Sequence, residues 1–292
     1  MQAPIHVLLR TPSQLNNLVT EEQLNVFDDD ESKIYSTIKK EYNDLVEQLL
    51  YKDIKVHQDF PSSNKNAPLE TFPASWLYLH PDGTLIVMPI SDEERRNERL
   101  QYIIEWVNIN FDIRRFIDLR EYERQGYFIE GTDSIVFDHS KQIAYASESK
   151  HTNIKLFEAI CYKLNYQPVS FISHQLNGQL IPYTNEVLNI SSYAIFFCSQ
   201  AIENTFERAM VISSLEASEK IVFDLPPLHA KEICSNLIEL CNPIGHKFTV
   251  VSKEAAKLLQ TSHLNIINTY STLVIVDNEV IRKYSNKGLN SM

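Results

Sequence analysis

The sequence predicts an α/β domain built from repeated hairpin, helix and strand units that pack around a common axis. Two hairpins are legible from their turns, His80 to Gly83 and Asp138 to Lys141, because Pro, Asp, Gly and Ser favour tight turns. A segment of helical periodicity and then another strand follow each hairpin. The unit recurs near residues 75–118, 133–173 and 186–223, with more degenerate copies at the two ends. Such repetition indicates units that stack on one another, although it does not give their number.

Alternation of apolar and polar residues predicts the strands. They cover about residues 4–10, 53–58, 75–80, 84–89, 112–118, 133–138, 142–147, 168–173, 186–190, 194–198, 219–223, 247–251 and 272–276.

Apolar residues at helical spacing predict the helices between these strands. They cover about residues 34–51, 92–109, 152–164, 206–215, 227–240 and 252–260. Asp92, Thr152 and Ser252 are expected to cap three of them, because a side-chain oxygen at that position accepts a backbone N–H of the first turn.

Length and composition favour a single domain over residues 1–292. Hydrophobic residues make up 43% and charged residues 22% of the chain, enough to build a buried core. The longest apolar runs fall far short of the ~20 residues that a membrane span requires. The N-terminus leads directly into a strand and has no secretion signal, so a cytoplasmic location is expected.

The net charge of −11 argues against a nucleic-acid partner, because phosphate binding depends on clustered Lys and Arg. The basic clusters are interleaved with acidic residues and are expected to be solvated faces. They comprise Arg95, Arg96, Arg99, Arg114 and Arg115.

The cysteines lack the close paired spacing of zinc sites and are expected to be reduced core thiols. They are Cys161, Cys198, Cys234 and Cys241. His80, His139 and His151 are not at helical i, i+4 spacing. Neither a metal site nor a cofactor is therefore predicted.

The chain carries Phe72-Pro73, Asp82-Gly83-Thr84, Glu130-Gly131-Thr132 and Tyr183-Thr184-Asn185 in this order. These motifs resemble those of the arginine-deiminase-related hydrolases of the guanidine-modifying, amidinotransferase superfamily, including hydrolases of citrulline utilisation. In that family a segment typically reads FPNNW, a strand ending in histidine, DGT, a methionine-containing strand and an arginine-rich helix start. Phe72 to Thr84, Met88 to Ile90 and Arg95 to Arg99 follow this order. The match continues at Glu130 to Ser134, Ala144 to Ala146, Tyr183 to Asn185 and Ser235 to Leu240. The resemblance implies a five-bladed, pseudo-symmetric α/β propeller of the pentein type, with its active site in the central channel.

The resemblance also implies a chemistry in which a cysteine thiolate attacks a guanidinium or ureido carbon. The family places that cysteine near the C-terminus, after a turn of the form GGGS and two further residues. Here the turn spans Ser285 to Met292, one glycine (Gly288) remains, and Ser291 stands where cysteine is expected. A serine hydroxyl without an adjacent base stays protonated, so thiolate chemistry is expected to be lost. Because the sequence stops one residue later, Ser291 is expected to lie in a frayed tail.

The family's general-base histidine precedes a Thr-Asn pair, and here that position is Tyr183, followed by Thr184 and Asn185. A phenol has an ordinary pKa of about 10 and cannot replace imidazole near pH 7 without a large shift. The matched base is therefore expected to be inactive, with Asn185 left as a substrate-binding position.

Substrate recognition is expected to be altered as well. The family carboxylate three residues before the Phe-Pro pair corresponds to Leu69, although the adjacent Glu70 substitutes for it if the loop slips by one residue. The second asparagine of FPNNW corresponds to Ser75, and the arginine before the third-unit helix corresponds to His151. Glu130 is the catalytic-type residue that survives, either as a ligand-binding group or as a carboxylate held by backbone N–H groups.

Two functional hypotheses follow. In the first, the chain has lost standard hydrolase activity and binds a guanidino or ureido amino acid, or a protein partner. In the second, it is an active hydrolase or transferase on arginine- or citrulline-like substrates, using Glu130 with His80 or His151. The loss of a nucleophile or base costs about a millionfold in kcat, which favours the first hypothesis. The sequence leaves the oligomeric state and the ligand open.

Overall fold

The computed structural model describes residues 2–12, 31–59, 71–99 and 101–292. Within these residues the chain forms fourteen strands in five small sheets, with helices between them. The mixed α/β fold predicted from the sequence is confirmed. No helix in this part of the chain is both long enough and apolar enough to cross a bilayer.

The strands follow one another along the whole described chain. They are β1 (His6–Arg10), β2 (Lys55–Asp59), β3 (Leu77–Leu79), β4 (Thr84–Val87), β5 (Arg115–Asp118), β6 (Val136–Asp138), β7 (Ile143–Ser147), β8 (Gln167–Phe171), β9 (Leu188–Ile190), β10 (Ala194–Phe197), β11 (Ile221–Asp224), β12 (Leu237–Cys241), β13 (Lys247–Ser252) and β14 (Thr272–Val276).

The helices connect these strands. They are α1 (Glu31–Tyr51), α2 (Gln101–Asn110), α3 (Gly131–Ser134), α4 (Ile154–Leu164), α5 (Thr205–Glu216), α6 (Pro227–Ser235), α7 (Lys253–Leu258), α8 (Thr261–Tyr270) and α9 (Glu279–Ser285). Short 3₁₀ helices span Pro73–Ser75, Glu94–Glu98, Arg120–Gln125, Thr184–Glu186, Ser199–Ala201 and Leu289–Ser291.

Four of the sheets repeat one topology. In each, the first two strands form an antiparallel hairpin, and a helical segment leads to a third strand that pairs parallel with the second. The fifth sheet pairs β1 with β2 in parallel through α1. The predicted hairpin, helix and strand unit is therefore the building block of the fold. The sequence had shown only two of its four hairpins.

The prediction of a helix over residues 227–240 was wrong for residues 236–240. The segment 227–240 was expected to be helical throughout, but α6 ends at Ser235 and β12 pairs with β13 from Leu237 onwards. A short apolar run such as Leu237 to Cys241 fits either a buried strand or a buried helix. Cross-strand pairing, which only the tertiary fold supplies, decides in favour of the strand.

The other boundaries differ by smaller amounts. The predicted helix 92–109 is a 3₁₀ helix at Glu94–Glu98 followed by α2, and α8 and α9 were not predicted. Ser252 caps α7 as expected, by accepting from the backbone N–H of Ala255. The cap of α4 is Asn153 and not Thr152, because the Thr152 hydroxyl bonds to Ser134.

Five helical segments contact one another in a closed ring. Four precede the first strand of a three-stranded sheet: Pro73–Ser75, α3, Thr184–Glu186 and α6. The fifth is the C-terminal turn Leu289–Ser291, which contacts both α6 and Pro73–Ser75. The ring gathers polar side chains from distant parts of the sequence at one place.

Hydrophobic clusters fill the space between the sheets and helices. The largest spans β7 to β11 and the helices around them, and a second joins α1 to β12, β13, β14 and α9. A largely apolar cavity of about 730 Å³ is lined by residues of β1, β3, β6, β9 and β12. The core therefore surrounds the ring and fixes its five segments relative to each other.

Candidate functional site

A buried carboxylate, Asp133 of α3, lies at the centre of the ring. Its Oδ2 accepts from Ser75 Oγ at 2.7 Å and from Lys287 Nζ at 2.7 Å. Its Oδ1 accepts from Asn185 Nδ2 at 2.8 Å and from Ser291 Oγ at 2.6 Å. A carboxylate offers about four lone-pair sites. Protein donors from three other ring segments and the C-terminal loop therefore fill all of them.

Electrostatics keep Asp133 ionised in this setting. Its side chain is only 1% exposed, and burial acts to raise its pKa. The Lys287 ammonium and the hydroxyl donors outweigh burial and hold the pKa of Asp133 below its usual value. A carboxylate with a lowered pKa is a weak base, so Asp133 is poorly suited to deprotonate the Ser291 hydroxyl.

The loop that carries Lys287 and Ser291 is held from two sides. A Cβ added at Gly288 would meet the Ser235 carbonyl oxygen at 2.2 Å, so only glycine permits this approach to α6. At the other end, the Glu41 carboxylate accepts from the backbone N–H groups of Val280 and Ile281 and caps α9. These two contacts aim the loop at the ring.

A second carboxylate, Glu130, lies just before α3 and is fully buried. Its Oε1 accepts from Ser91 Oγ at 2.7 Å and lies 3.0 Å from His151 Nδ1. Its Oε2 accepts from Tyr183 OH at 2.8 Å and from Arg95 Nη1 at 3.2 Å. Burial acts to raise the pKa of Glu130, but the His151 hydrogen bond and the Arg95 charge lower it below its usual value. Glu130, like Asp133, has no acceptor site left over.

Arg95 was expected on a solvated face, and this expectation was wrong. Its side chain is only 5% exposed and forms a two-pronged ion pair with Glu98 in addition to its contact with Glu130. The coulombic attraction of Glu98 and Glu130 raises the pKa of Arg95 against the effect of burial. Charge interleaved along the sequence does not distinguish a surface arginine from one that pairs inwards with a buried acid.

Tyr183 links the two carboxylates. Its hydroxyl donates to Glu130, its ring stacks on His151 with centroids 4.9 Å apart, and Lys287 Nζ lies 4.4 Å from its ring centroid. Burial and then the charge of Glu130 raise the pKa of Tyr183 well above its usual value. The phenol is therefore a hydrogen-bond donor at neutral pH and does not act as a base.

The expectation that Ser291 lies in a frayed tail was wrong. Ser291 is 2% exposed, belongs to the 3₁₀ helix Leu289–Ser291 and donates to Asp133. The turn packs against its neighbours in the ring, and the apolar side chains of Leu289 and Met292 join the core cluster of α1 and β14. Burial of these side chains outweighs the tendency of a terminus to fray.

The structure brings together six of the seven residues singled out from the sequence. Ser75, Asn185 and Ser291 meet at Asp133, whereas His151 and Tyr183 meet at Glu130. The seventh, Glu70, lies outside the described residues, as does Leu69.

Sequence reasoning missed four contributors to the site, namely Asp133, Lys287, Arg95 and Ser91. A signal was present for two of them. Asp133 belongs to the matched segment Glu130 to Ser134, and Lys287 stands in the turn where the family has glycines. A charged residue in a turn that otherwise requires glycine indicates a specific contact for its side chain.

In the described part of the chain, no cysteine sulfur bonds to a carboxylate of this site, although the backbone carbonyl of Cys234 accepts from Asn290 Nδ2. All four are buried free thiols, as predicted. Cys234 donates weakly to the Phe196 carbonyl within the large apolar cluster, which also contains Cys198. Burial raises the pKa of Cys161 to about 12 and that of Cys234 well above the ordinary thiol value. None of the four buried thiols is therefore placed to replace the missing nucleophile.

His80 also lies apart from Glu130. Its ring contacts Tyr166 OH at 3.1 Å and Asp82 at 2.8 Å, and His139 contacts the same Tyr166 hydroxyl at 2.7 Å. Among the described residues, no three His, Cys, Asp or Glu side chains are grouped as metal ligands. Of the two histidines considered as partners of Glu130, only His151 contacts it.

A polar cavity of about 530 Å³ adjoins the ring, and its lining includes Asp133, Tyr183, Lys287 and Ser291. Two ion pairs form part of its wall, Lys231 with Glu186 and Arg282 with Glu232. The cavity has room for an amino-acid-sized ligand beside Asp133.

Comparison with known proteins gives the same fold. The family model described as N,N dimethylarginine dimethylhydrolase, eukaryotic, matches residues 4–292. A cysteine-to-serine mutant of DDAH from Pseudomonas aeruginosa, complexed with citrulline, is 17% identical with a TM-score of 0.69, covering 100% of this chain and 98% of that one. The N-terminal domain of ArgZ, an arginine dihydrolase of the ornithine-ammonia cycle in Cyanobacteria, is 12% identical with a TM-score of 0.70, covering 96% and 94%.

A third solved structure, AgrE in a ternary complex with ornithine and NAD+, is 11% identical with a TM-score of 0.70 and covers 96% of this chain and 37% of that one. Curated protein sequences give no match. At these identities the likeness to solved structures establishes the fold.

Proposed function

Because the chain belongs to the N,N-dimethylarginine dimethylhydrolase family, we propose that it is a member that has lost cysteine–histidine hydrolysis and acts as a binding module. The single observation that carries the loss of hydrolysis is the saturation of the two buried carboxylates. Glu130 and Asp133 already accept from protein donors at both oxygens. Neither carboxylate can take the nitrogens of a substrate without breaking a buried hydrogen bond.

The residues at the matched catalytic positions support the same proposal. Among the described residues, the base that Ser291 contacts is Asp133, a carboxylate of lowered pKa, and Tyr183 is held as a donor. Loss of the nucleophile or base of a catalytic unit costs about a millionfold in kcat, and the two losses together add little more. Hydrolysis of a guanidino or ureido substrate is therefore expected to stay at the background rate.

A serine at the nucleophile position is compatible with binding. The solved cysteine-to-serine mutants of DDAH and of the ArgZ domain are complexed with citrulline and bound to substrate, respectively. By analogy, the cavity of about 530 Å³ beside Ser291 is proposed to hold a guanidino or ureido amino acid without turning it over. If no such ligand binds, we propose that the chain binds a protein partner instead.

The five sheets and the closed ring support a further proposal about architecture, in which residues 1–292 form one domain of five blades around the ring. The two-stranded sheet of β1 and β2, with the turn Leu289–Ser291 beside the ring, would form the fifth blade. This arrangement explains why residues from the two ends of the chain reach one site.

The alternative, a hydrolase with repurposed residues, depends on His151 and Ser91. Ser91 Oγ lies 2.7 Å from His151 Nδ1, and Glu130 Oε1 lies 3.0 Å from the same nitrogen. A serine–histidine–carboxylate relay needs the hydroxyl on one ring nitrogen and the carboxylate on the other. Since both contacts converge on Nδ1, the observed geometry favours a held imidazole over a catalytic one.

Product formation from dimethylarginine, arginine and citrulline tests the proposal. Wild type, Ser291→Ala and Glu130→Gln are expected to give equal, background rates, whereas a thermal-shift screen with citrulline, arginine, ornithine and methylarginines reports binding. A ligand at 100 times its Kd adds about 2.7 kcal/mol of stability. Turnover by wild type that disappears in Glu130→Gln would establish the hydrolase alternative instead.

A further inference from the structure

We infer that the Lys287 ammonium is the resident cation of this site, a tethered group that takes the place a ligand cation would otherwise occupy. Lys287 is 93% buried, with a residue exposure of 7%. A lysine is rarely buried to this extent unless its charge is paired. The inference rests on the proposed function and deepens it, because it names the group that already occupies the Asp133 side of the cavity.

The position of the ammonium supports this assignment. Nζ lies 2.7 Å from Asp133 Oδ2 and 4.4 Å from the centroid of the Tyr183 ring. Ser291 donates to the other oxygen of the same carboxylate. The ammonium thus contacts the ring at the position matched to the family's base, and it shares a buried carboxylate with the side chain at the position matched to the nucleophile.

The contacts of Nζ are those of a cation-binding pocket. A carboxylate provides the ion pair, an aromatic face provides cation–π attraction, and Ser75 Oγ lies at 3.5 Å as a weak third partner. A primary ammonium or a guanidinium ion satisfies this set. An anion or a neutral apolar group does not.

Tethering explains why a free cation would not displace Lys287. The loop is held by the close approach of Gly288 to Ser235, so the ammonium stays next to Asp133 at a high effective concentration. A free ligand loses translational freedom on binding and would also have to leave the lysine charge unpaired. Wild type is therefore expected to exclude small cations from Asp133.

Removing the side chain should turn this closed site into an open one. Lys287→Ala leaves the Asp133 carboxylate without a cation and creates a space the size of a propylammonium ion. We expect its melting temperature to fall by about 6 to 12 °C, as for a broken buried ion pair in a chain of this size. Propylammonium chloride should restore at least half of this loss relative to sodium chloride at equal ionic strength.

Two matched variants separate cation binding from a loss of packing. Lys287→Met fills the space with an apolar chain, so it should lose stability without being rescued by propylammonium. Asp133→Asn combined with Lys287→Met removes both charges and should melt above Lys287→Met alone, since no unpaired carboxylate remains. Wild type should respond to propylammonium no more than to sodium chloride.

The assignment is overturned if Lys287→Ala melts at the same temperature as wild type. It is equally overturned if propylammonium stabilises the alanine and methionine variants alike, or if the double variant is no more stable than Lys287→Met. Should Lys287→Ala fail to fold, its refolding yield with and without propylammonium gives the same comparison. All of these readouts are independent of catalysis, so failure of the hydrolysis prediction would leave them unchanged.

Discussion

The Tyr183 hydroxyl donates a 2.8 Å hydrogen bond to Glu130 Oε2. The residue at the matched base position is therefore a hydrogen-bond donor to the surviving catalytic-type carboxylate. Glu130 is fully buried, Tyr183 is partly buried, and the two are 53 residues apart in the sequence. Because Tyr183 donates to Glu130, this carboxylate needs one hydrogen-bond donor fewer from a ligand. Glu130 is therefore stabilised by protein side chains and does not require a ligand.

Tyr183→Phe removes this hydrogen bond and keeps the ring beneath Lys287. We expect the free energy of unfolding to fall by about 1–3 kcal/mol, the usual range when a bond to a buried charged group is lost. Urea denaturation measures the loss. Tyr145→Phe, which removes a hydroxyl bonded to the neutral Ser214, is the control and should cost less. Equal losses in the two variants would argue against a special role for Glu130.

The absence of an available thiol is directly measurable. All four cysteines are buried and their environments are apolar or helical. Because thiolate is the reactive form, a native thiol with a raised pKa reacts slowly with a disulfide reagent such as DTNB. We expect almost no fast reaction in native protein and four equivalents after denaturation. A rapid native reaction of even one thiol would reopen the question of a cysteine nucleophile.

Gly288→Ala tests how the C-terminal loop is positioned. Gly288 has a negative φ of −89°, which any residue adopts, but an added Cβ would meet the Ser235 carbonyl at 2.2 Å. Gly245 has a φ of +87° and no atom within 4 Å of an added Cβ. Close approach therefore predicts a cost of about 1–3 kcal/mol or more at Gly288. Gly245→Ala carries only the penalty of a left-handed backbone, about 1–2 kcal/mol.

Equilibrium unfolding of the two glycine variants compares these costs. A larger loss in Gly245→Ala than in Gly288→Ala would show that the Ser235 contact relaxes easily. In that case the loop would not hold Lys287 rigidly against Asp133.

His139 gives the protein a predictable response to acid. Burial, and then the neighbouring His80, lowers the pKa of His139 to about 4, against about 6.5 for an unfolded histidine. Between these values the unfolded chain binds the extra proton, so the free energy of unfolding falls as pH falls from about 6.5 towards 4. The slope from this one group reaches at most about 1.4 kcal/mol per pH unit.

His139→Phe should flatten this part of the pH dependence. Phenylalanine retains the stacking on Phe137, for which the ring centroids are 5.5 Å apart, but it does not titrate. The variant loses the bond to Tyr166, so its stability is expected to be lower at neutral pH while its slope between pH 4 and 6.5 is smaller. Urea unfolding at four pH values gives both quantities. An unchanged slope would assign the acid response to other groups.

The sequence by itself determined the repeated unit, the family and the identity of the residues at the matched positions. Local patterns suffice for these features, because turn residues, apolar periodicity and motif order are properties of neighbouring residues. The replacement of cysteine by Ser291 and of histidine by Tyr183 is visible in the sequence alone. The choice between strand and helix at Leu237 to Cys241 was not, because it depends on pairing with β13.

Only the tertiary structure decided what these replacements mean. Lys287 meets Asp133 across 154 residues, and Arg95 meets Glu130 across 35. Sequence spacing carries no information about such contacts, because they arise when the ring of turns closes and buries their charges together. A buried charge must find a partner, and which partner it finds is a property of the packed fold.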